Sequence, residues 1–177
     1  INFENAHWSF NNKKINSKNL SSIASDVSDD VYNLTPKIQN ELVVREKVST
    51  MAVAASHSLI FRILNNASEK NLGMEGYPAE YGIYLSIIKA NKLHKLSKGE
   101  FKFVEPSKSN KELSALHNEF NKHIKSKEEP TSLNELYDLF SKQPYGIKKG
   151  LIPILLASFY MTNEGSFALY NTDEQGK

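Results

Sequence analysis

Cysteine is absent from this 177-residue chain, which excludes disulfides, thiolate nucleophiles and cysteine-ligated zinc. The absence fits a reducing compartment, and a cytoplasmic location is expected. Long hydrophobic runs are missing as well. The longest, Leu151 to Met161, would span about 16 Å as a helix, roughly half a bilayer core, so no membrane partner is expected. No sign of charge dominates: 24% of residues are charged and the formal net charge is +2, so no global field marks a nucleic-acid binder. There is no glycine-rich phosphate loop followed by Lys-Ser or Lys-Thr, and no nucleophile elbow. The opening INFENAHWSF lacks the charged-then-apolar layout of a secretory signal. A start at Ile1 and a polar end in NTDEQGK read as the limits of a piece excised from a longer chain, whose catalytic part would lie elsewhere.

What is present is helical periodicity. Trp8 and Phe10 suit a short strand, and Leu20, Ile23, Val27 and Val31 then recur at helical spacing, with Ser17 available as a cap. Pro36 is expected to open a turn or short helix. In NELVVRE, Asn40 can cap, and Glu41 and Arg45 have the i, i+4 spacing of an intrahelical ion pair worth a few tenths of a kcal/mol. Val48, Met51, Ala52, Ala55, Leu59 and Ile63 form one face of a long helix. After a loop marked by Gly73, Gly76 and Pro78, a helix buried through Ile83, Leu85, Ile87 and Ile88 leads to an alternating strand carrying Phe101 and Phe103. Leu113, Leu116, Phe120 and Ile124 make a further amphipathic helix. Ser132 and Glu135 then have capping-box spacing ahead of Leu133, Leu136, Tyr137 and Phe140. The last helix, LIPILLASFYM, tolerates Pro153 only in its first turn and is apolar around its whole circumference. It therefore needs cover on all sides, and a neighbouring domain or a second copy is expected to supply part of it.

Two segments align. YGIYLSIIKANKLHKLSKGEFKF from Tyr81 and KGLIPILLASFYMTNEGSFAL from Lys149 pair Gly82 with Gly150, and Ile83, Tyr84, Ile87 and Ile88 with Leu151, Ile152, Leu155 and Leu156. Gly99 then pairs with Gly165, and Phe101 and Phe103 with Phe167 and Leu169. One account is a pair of helix–helix–strand units, each resembling a winged helix. The other is that helical periodicity alone aligns apolar residues. The first account gives a mainly α fold with short β hairpins, built as tandem winged-helix-like units. Residues 1–106 would hold an N-terminal helical region and the first unit. Residues 107–177 would hold the second, its wing completed by sequence beyond Lys177.

Catalytic groups do not converge. His7, His57, His94, His117 and His123 are scattered, and His117 and His123 point to different faces of one helix. His57 lies between Ser56 and Ser58, yet adjacent helical residues diverge, so a plain helix histidine is the stronger reading. Asp26, Asp29 and Asp30 read as a solvated helix end. No catalytic residue, metal ligand or cofactor is assigned, and this segment is read as non-enzymatic. A DNA-reading helix needs Arg, Lys, Asn or Gln toward the bases. LIPILLASFYM offers only Ser158 and Tyr160, and so is core. The candidate DNA-binding residues are Lys89, Lys92, Lys95, Lys98 and Lys102 around the first strand, with Lys148 and Lys149 before the last helix.

DDVYNLTPKIQNELVVREKVSTMAVAA, NLGMEGYPAEYGIYLSII and QPYGIKKGLIPILLASFYMTNEGSFALY, in that order, resemble a region of very large prokaryotic P-loop ATPases of phage-defence and DNA-restriction systems, of the BREX or a related kind. The resemblance implies a helical, winged-helix-containing region outside the ATPase core. It carries no catalysis to this chain, because the ATP-binding motifs are absent. Asn40, Glu41 and Arg45 fall in its Asn-Glu-Leu block and are candidate structural or interface residues. The expected function is a non-catalytic interaction or regulatory module that docks the rest of the parent ATPase or a partner subunit. The rival is a sequence-nonspecific DNA-binding winged-helix module.

Overall fold

A computed structural model describes residues 8–10, 12–16, 20–45, 47–127 and 129–170. It divides into two compact units, 1–33 and 34–177. In the first, β1 (Trp8–Phe10) pairs antiparallel with β2 (Lys13–Ile15), Trp8 opposite Ile15. The strand expected at Trp8 and Phe10 thus forms. In α1 (Leu20–Val31), Leu20, Ile23, Val27 and Val31 are the half-buried positions and all others are exposed, as the helical spacing predicts. The Ser17 cap lies outside the described residues.

The second unit is held by one hydrophobic core that takes residues from both sides of position 106. Its chain start is tied to a later loop: the Thr35 hydroxyl donates to the Tyr145 carbonyl (2.5 Å) and the Leu34 amide to that of Pro144 (3.2 Å). Asn40 caps α2 (Glu41–Val44), its Oδ1 accepting from the amides of Leu42 and Val43. Ser49 caps α3 (Thr50–Asn65) through the Ala52 amide, and α3 buries Ala52, Ala55, Ser56, Leu59 and Ile63. Met51, expected on that face, is 80% exposed: at 100° per residue it sits at the edge of the buried arc, in the first turn.

α4 (Ala79–Ile83) packs against α3 and widens into a π turn, Tyr84–Lys89, in which the Ala90 and Leu93 amides reach back five residues to Leu85 and Ile88. Its buried face is Ile83, Tyr84, Ile87 and Ile88. Leu85, expected in the core, is only half-buried because it lies about 200° around the helix from Ile83. A hairpin follows, β3 (His94–Ser97) with β4 (Glu100–Phe103), pairing His94 with Phe103, Lys95 with Lys102 and Leu96 with Phe101.

Asn110 caps α5 (Lys111–Lys125), which buries Leu113, Leu116, His117 and Phe120. Ser132 caps α6 (Leu133–Ser141) through the Glu135 amide, as its spacing predicts, and Leu136 and Phe140 are buried. Leu133, in the first turn of α6, is exposed rather than core, since only the later turns of that face meet the other helices. α7 (Ile152–Thr162) begins with Pro153 in its first turn and buries Ile152, Ile154, Leu155, Leu156, Ala157, Ser158, Phe159 and Met161. Its cover comes from within the chain, from α3, β4 and the aromatic rings of α5 and α6. The neighbouring domain or second copy expected to supply part of that cover is not needed to bury these residues.

The chain is mainly helical with short two-stranded antiparallel hairpins. The expected repeat is not reproduced. Residues 166–169, aligned with β4, form no strand, and Phe167 instead lies edge-on to Phe120 at 6.2 Å. The aligned glycines also differ in role. A methyl group on Gly150 would overlap the Val43 carbonyl oxygen and lie 3.3 Å from Val48 Cγ2, whereas Gly82 faces open space. Gly150→Ala is therefore expected to cost about 2 kcal/mol, because backbone cannot move aside cheaply. Gly82→Ala, inside α4, should be neutral or stabilising by up to ~1 kcal/mol. Urea denaturation of the two variants checks both, and equal effects would restore the equivalence of the two segments.

Candidate functional site

Two surface features stand out, and both rest on bracing between α3, α4 and the hairpin. The first brace is polar. Glu80, only 7% exposed, accepts from the Ser58 hydroxyl (2.8 Å) and from Arg62 Nε (3.2 Å), linking α4 to two successive turns of α3. Burial pushes the Glu80 carboxyl up. Its own backbone amide, Ser58 and the Arg62 guanidinium outweigh that and hold it below the usual glutamate value. The second brace fixes the root of the hairpin. His94 donates from Nε2 to the Ala67 carbonyl (2.8 Å), and its Nδ1 accepts from the Tyr84 hydroxyl (3.0 Å). Its ring lies against Phe101 and Phe103 at 5.4 and 4.9 Å. Burial pulls the His94 pKa below its ordinary value and pushes that of Tyr84 up to about 12. Tyr84 thus stays a donor and His94 a neutral acceptor.

On this root stands a cationic ribbon. Lys89, Lys92, Lys95, Lys98 and Lys102 are all exposed, and none makes an ion pair with another described residue. Lys95 and Lys102 are directly opposed across the strands, a like-charge juxtaposition that weakens a hairpin. Lys92 and Lys98 both hold φ at 55°. The sequence identified these lysines but not their opposition, which depends on strand register. Lys148 and Lys149 are exposed in the loop before α7, a separate element; Lys149 borders a depression of about 400 Å³ lined by Asn134, Tyr137, Asp138 and Ser141.

The second feature is the outer face of α3. Val53, Ala54, His57, Phe61 and Leu64 fall on an exposed stripe about 100° wide, opposite the buried arc. Phe61, at its centre, is 65% exposed. The helical spacing marks only the face of α3 through Ala52, Ala55, Leu59 and Ile63, and it is the fold that shows Val53, Phe61 and Leu64 left uncovered on the other side.

The remaining candidates are structural in geometry. Asn40 Nδ2 donates to Ser86 Oγ (2.6 Å), tying α2 to the π turn, and the spaced pair Glu41–Arg45 forms at 3.4 Å with both side chains largely in water. Ser56 donates to the Ala52 carbonyl and Ser58 to Glu80, so neither serine is turned to His57. His117 bonds Thr162 Oγ1 (2.9 Å) and stacks edge-on with Phe159. His123 lies 3.6 Å from Glu135, which Lys127 also pairs, clipping α5 to α6. Asp26, Asp29 and Asp30 are exposed on α1. Among the described residues, no three His, Asp or Glu side chains are grouped to hold a metal, and no helix is long and apolar enough to cross a membrane.

The buried histidines make stability depend on pH. His94 and His117 are both depressed by burial below 6.5, so the unfolded chain binds protons first. Their contribution is intact above pH ~6.5 and is lost as pH falls from there through their folded values. Glu80 acts only lower, below its unfolded value of 4.5. Urea midpoints are thus expected to fall between pH 7.5 and 5, and His94→Gln should flatten that fall even though it lowers the midpoint itself. An unchanged slope would place His94 outside the acid response. No family model, curated protein or solved structure matches the chain.

Proposed function

We propose that this chain is a non-catalytic interaction module that docks the ATPase region of a large P-loop defence ATPase through the outer face of α3. The observation that carries the reading is the uncovered stripe Val53, Ala54, His57, Phe61 and Leu64. It runs about 16 Å along the helix and contains one ionisable group, His57. A phosphate backbone has nothing to offer such a surface, whereas an apolar helix or sheet face of a protein buries against it. The parent ATPase as occupant rests on the resemblance of the three sequence blocks. The Arg62–Glu80–Ser58 brace supports the reading by holding α3 rigid from behind, so that docking costs little ordering entropy.

Titration calorimetry of the chain against the P-loop ATPase region of its parent protein tests this. Micromolar or tighter binding is expected, weakened at least tenfold by Phe61→Glu, with an unchanged circular-dichroism spectrum because Phe61 is largely in solvent. Failure of the wild-type chain to bind, or equal binding by the variant, would overturn the reading. Sedimentation of the chain alone distinguishes a second occupant: a dimer dissolved by Phe61→Glu would assign the stripe to another copy instead.

A further inference from the structure

We infer that the β3–β4 hairpin, with the turn that leads into it, is a binding site for the phosphate backbone of nucleic acid, read without base specificity. Charge segregation is the first ground. Residues 89–102 carry five lysines against Glu100, a formal +4, while the whole chain carries +2, so everything else sums to −2. The positive charge of this chain is concentrated on one ribbon.

Departure from the rules of hairpin stability is the second ground. Lys95 and Lys102 face each other across the strands with no described carboxylate pairing either, at a cost that an opposite-charge pair would avoid. The two-residue turn is Lys98–Gly99, with φ of 55° and 93°. At its first position asparagine, aspartate or glycine fits best, yet a lysine stands there. Lys92, at the other end of β3, is also held at φ 55°. Four lysines, Lys92, Lys95, Lys98 and Lys102, thus sit where the fold alone would choose another residue. An anion lying along the ribbon supplies the missing gain.

Shape is the third ground. The lysines are spread along the ribbon, from Lys89 and Lys92 at its root through Lys95 and Lys102 to Lys98 at its tip. A two-stranded ribbon enters a nucleic-acid groove, and charges along its length meet a line of phosphates. Beside these lysines stand the half-buried Ser97 and the exposed Glu100, and among the described residues of the two strands there is no Arg, Asn or Gln, the side chains that read base edges most often, which is why no sequence preference follows. The root is fixed by His94, bonded to Tyr84 and Ala67, so the ribbon is presented rigidly.

Fluorescence anisotropy with labelled duplex DNA, single-stranded DNA and RNA of one mixed sequence, using the full chain, tests the site. Micromolar affinity is expected at about 50 mM salt, falling roughly 100-fold or more by 200 mM as about four to five phosphates are neutralised. Lys102→Glu is the decisive variant. It places an opposite charge across from Lys95, so the hairpin should be as stable as before or more so, while affinity drops at least tenfold. Lys148→Gln with Lys149→Gln, on another element, should change affinity less than threefold. No binding at 50 mM salt would overturn the inference. So would Lys102→Glu binding as tightly as wild type, or a preference for anionic phospholipid vesicles over all three nucleic acids. None of these readouts involves the α3 stripe, so the docking reading and this one stand or fall separately.

Discussion

Burial of α7 is the constraint on which the second unit depends. Ile152, Ile154, Leu155, Leu156, Phe159 and Met161 leave that helix no polar side to turn toward water. α3 and β4 approach it, and Phe159 lies among the rings of His117, Phe120 and Phe140. The loop before it comes so close to α2 that Gly150 sits against the Val43 carbonyl. Each side chain buried against α7 contributes on the order of 1.5–3 kcal/mol, which no surface pairing in the molecule approaches. With α7 satisfied inside the chain, any surface left for a partner must be sought elsewhere, and among the described residues α3 gathers Val53, Phe61 and Leu64 on one exposed face, whereas Tyr77, Leu96 and Leu133 are exposed singly on other elements.

Glu80, His94 and His117, the buried ionisable residues among those described, all have partners, and each fastens a connection between elements. His94 holds the hairpin to α4 and to the loop after α3. Glu80 holds α4 to α3. His117 meets Thr162 at the end of α7, where Asn163 also bonds Asn121 of α5. Buried and satisfied, these groups specify one arrangement of helices, and the neutral histidines make that arrangement acid-sensitive.

Periodicity and capping were legible from the residues alone. The helices through Leu20–Val31, Leu113–Phe120 and Leu136–Phe140 fall where their spacing predicts, and Ser132 caps as its distance from Glu135 implies. What was not legible is which neighbour covers which face. An apolar pattern says that a face wants burial but not what buries it, so Met51 and Leu133 fit a core face by spacing yet are exposed, and α7 suggests a neighbouring domain or a second copy as part of its cover yet is buried within the chain. The strand expected over Phe167 and Leu169 failed for the same reason. Alternation is a local property, but a strand needs a partner edge, and Phe167 found Phe120 instead. Of the candidate sites, the hairpin lysines were visible as composition. The opposition of Lys95 to Lys102, which turns composition into a physical cue, appears only once the register is known. The Arg62–Glu80 brace spans a loop and carries no local signal at all.

The two surfaces differ in chemistry but share their supports. α3 is joined to α4 by Arg62, Ser58 and Glu80, and α4 runs through its π turn into the hairpin that His94 bolts to the end of the α3 loop. No unbraced linker separates the apolar stripe from the cationic ribbon. A protein seated on the stripe and an anion seated on the ribbon would therefore be held at one fixed separation and orientation. A flexible tether would let either ligand bind without constraining the other. Were both proposed ligands bound, this construction would instead make the position of one depend on the position of the other.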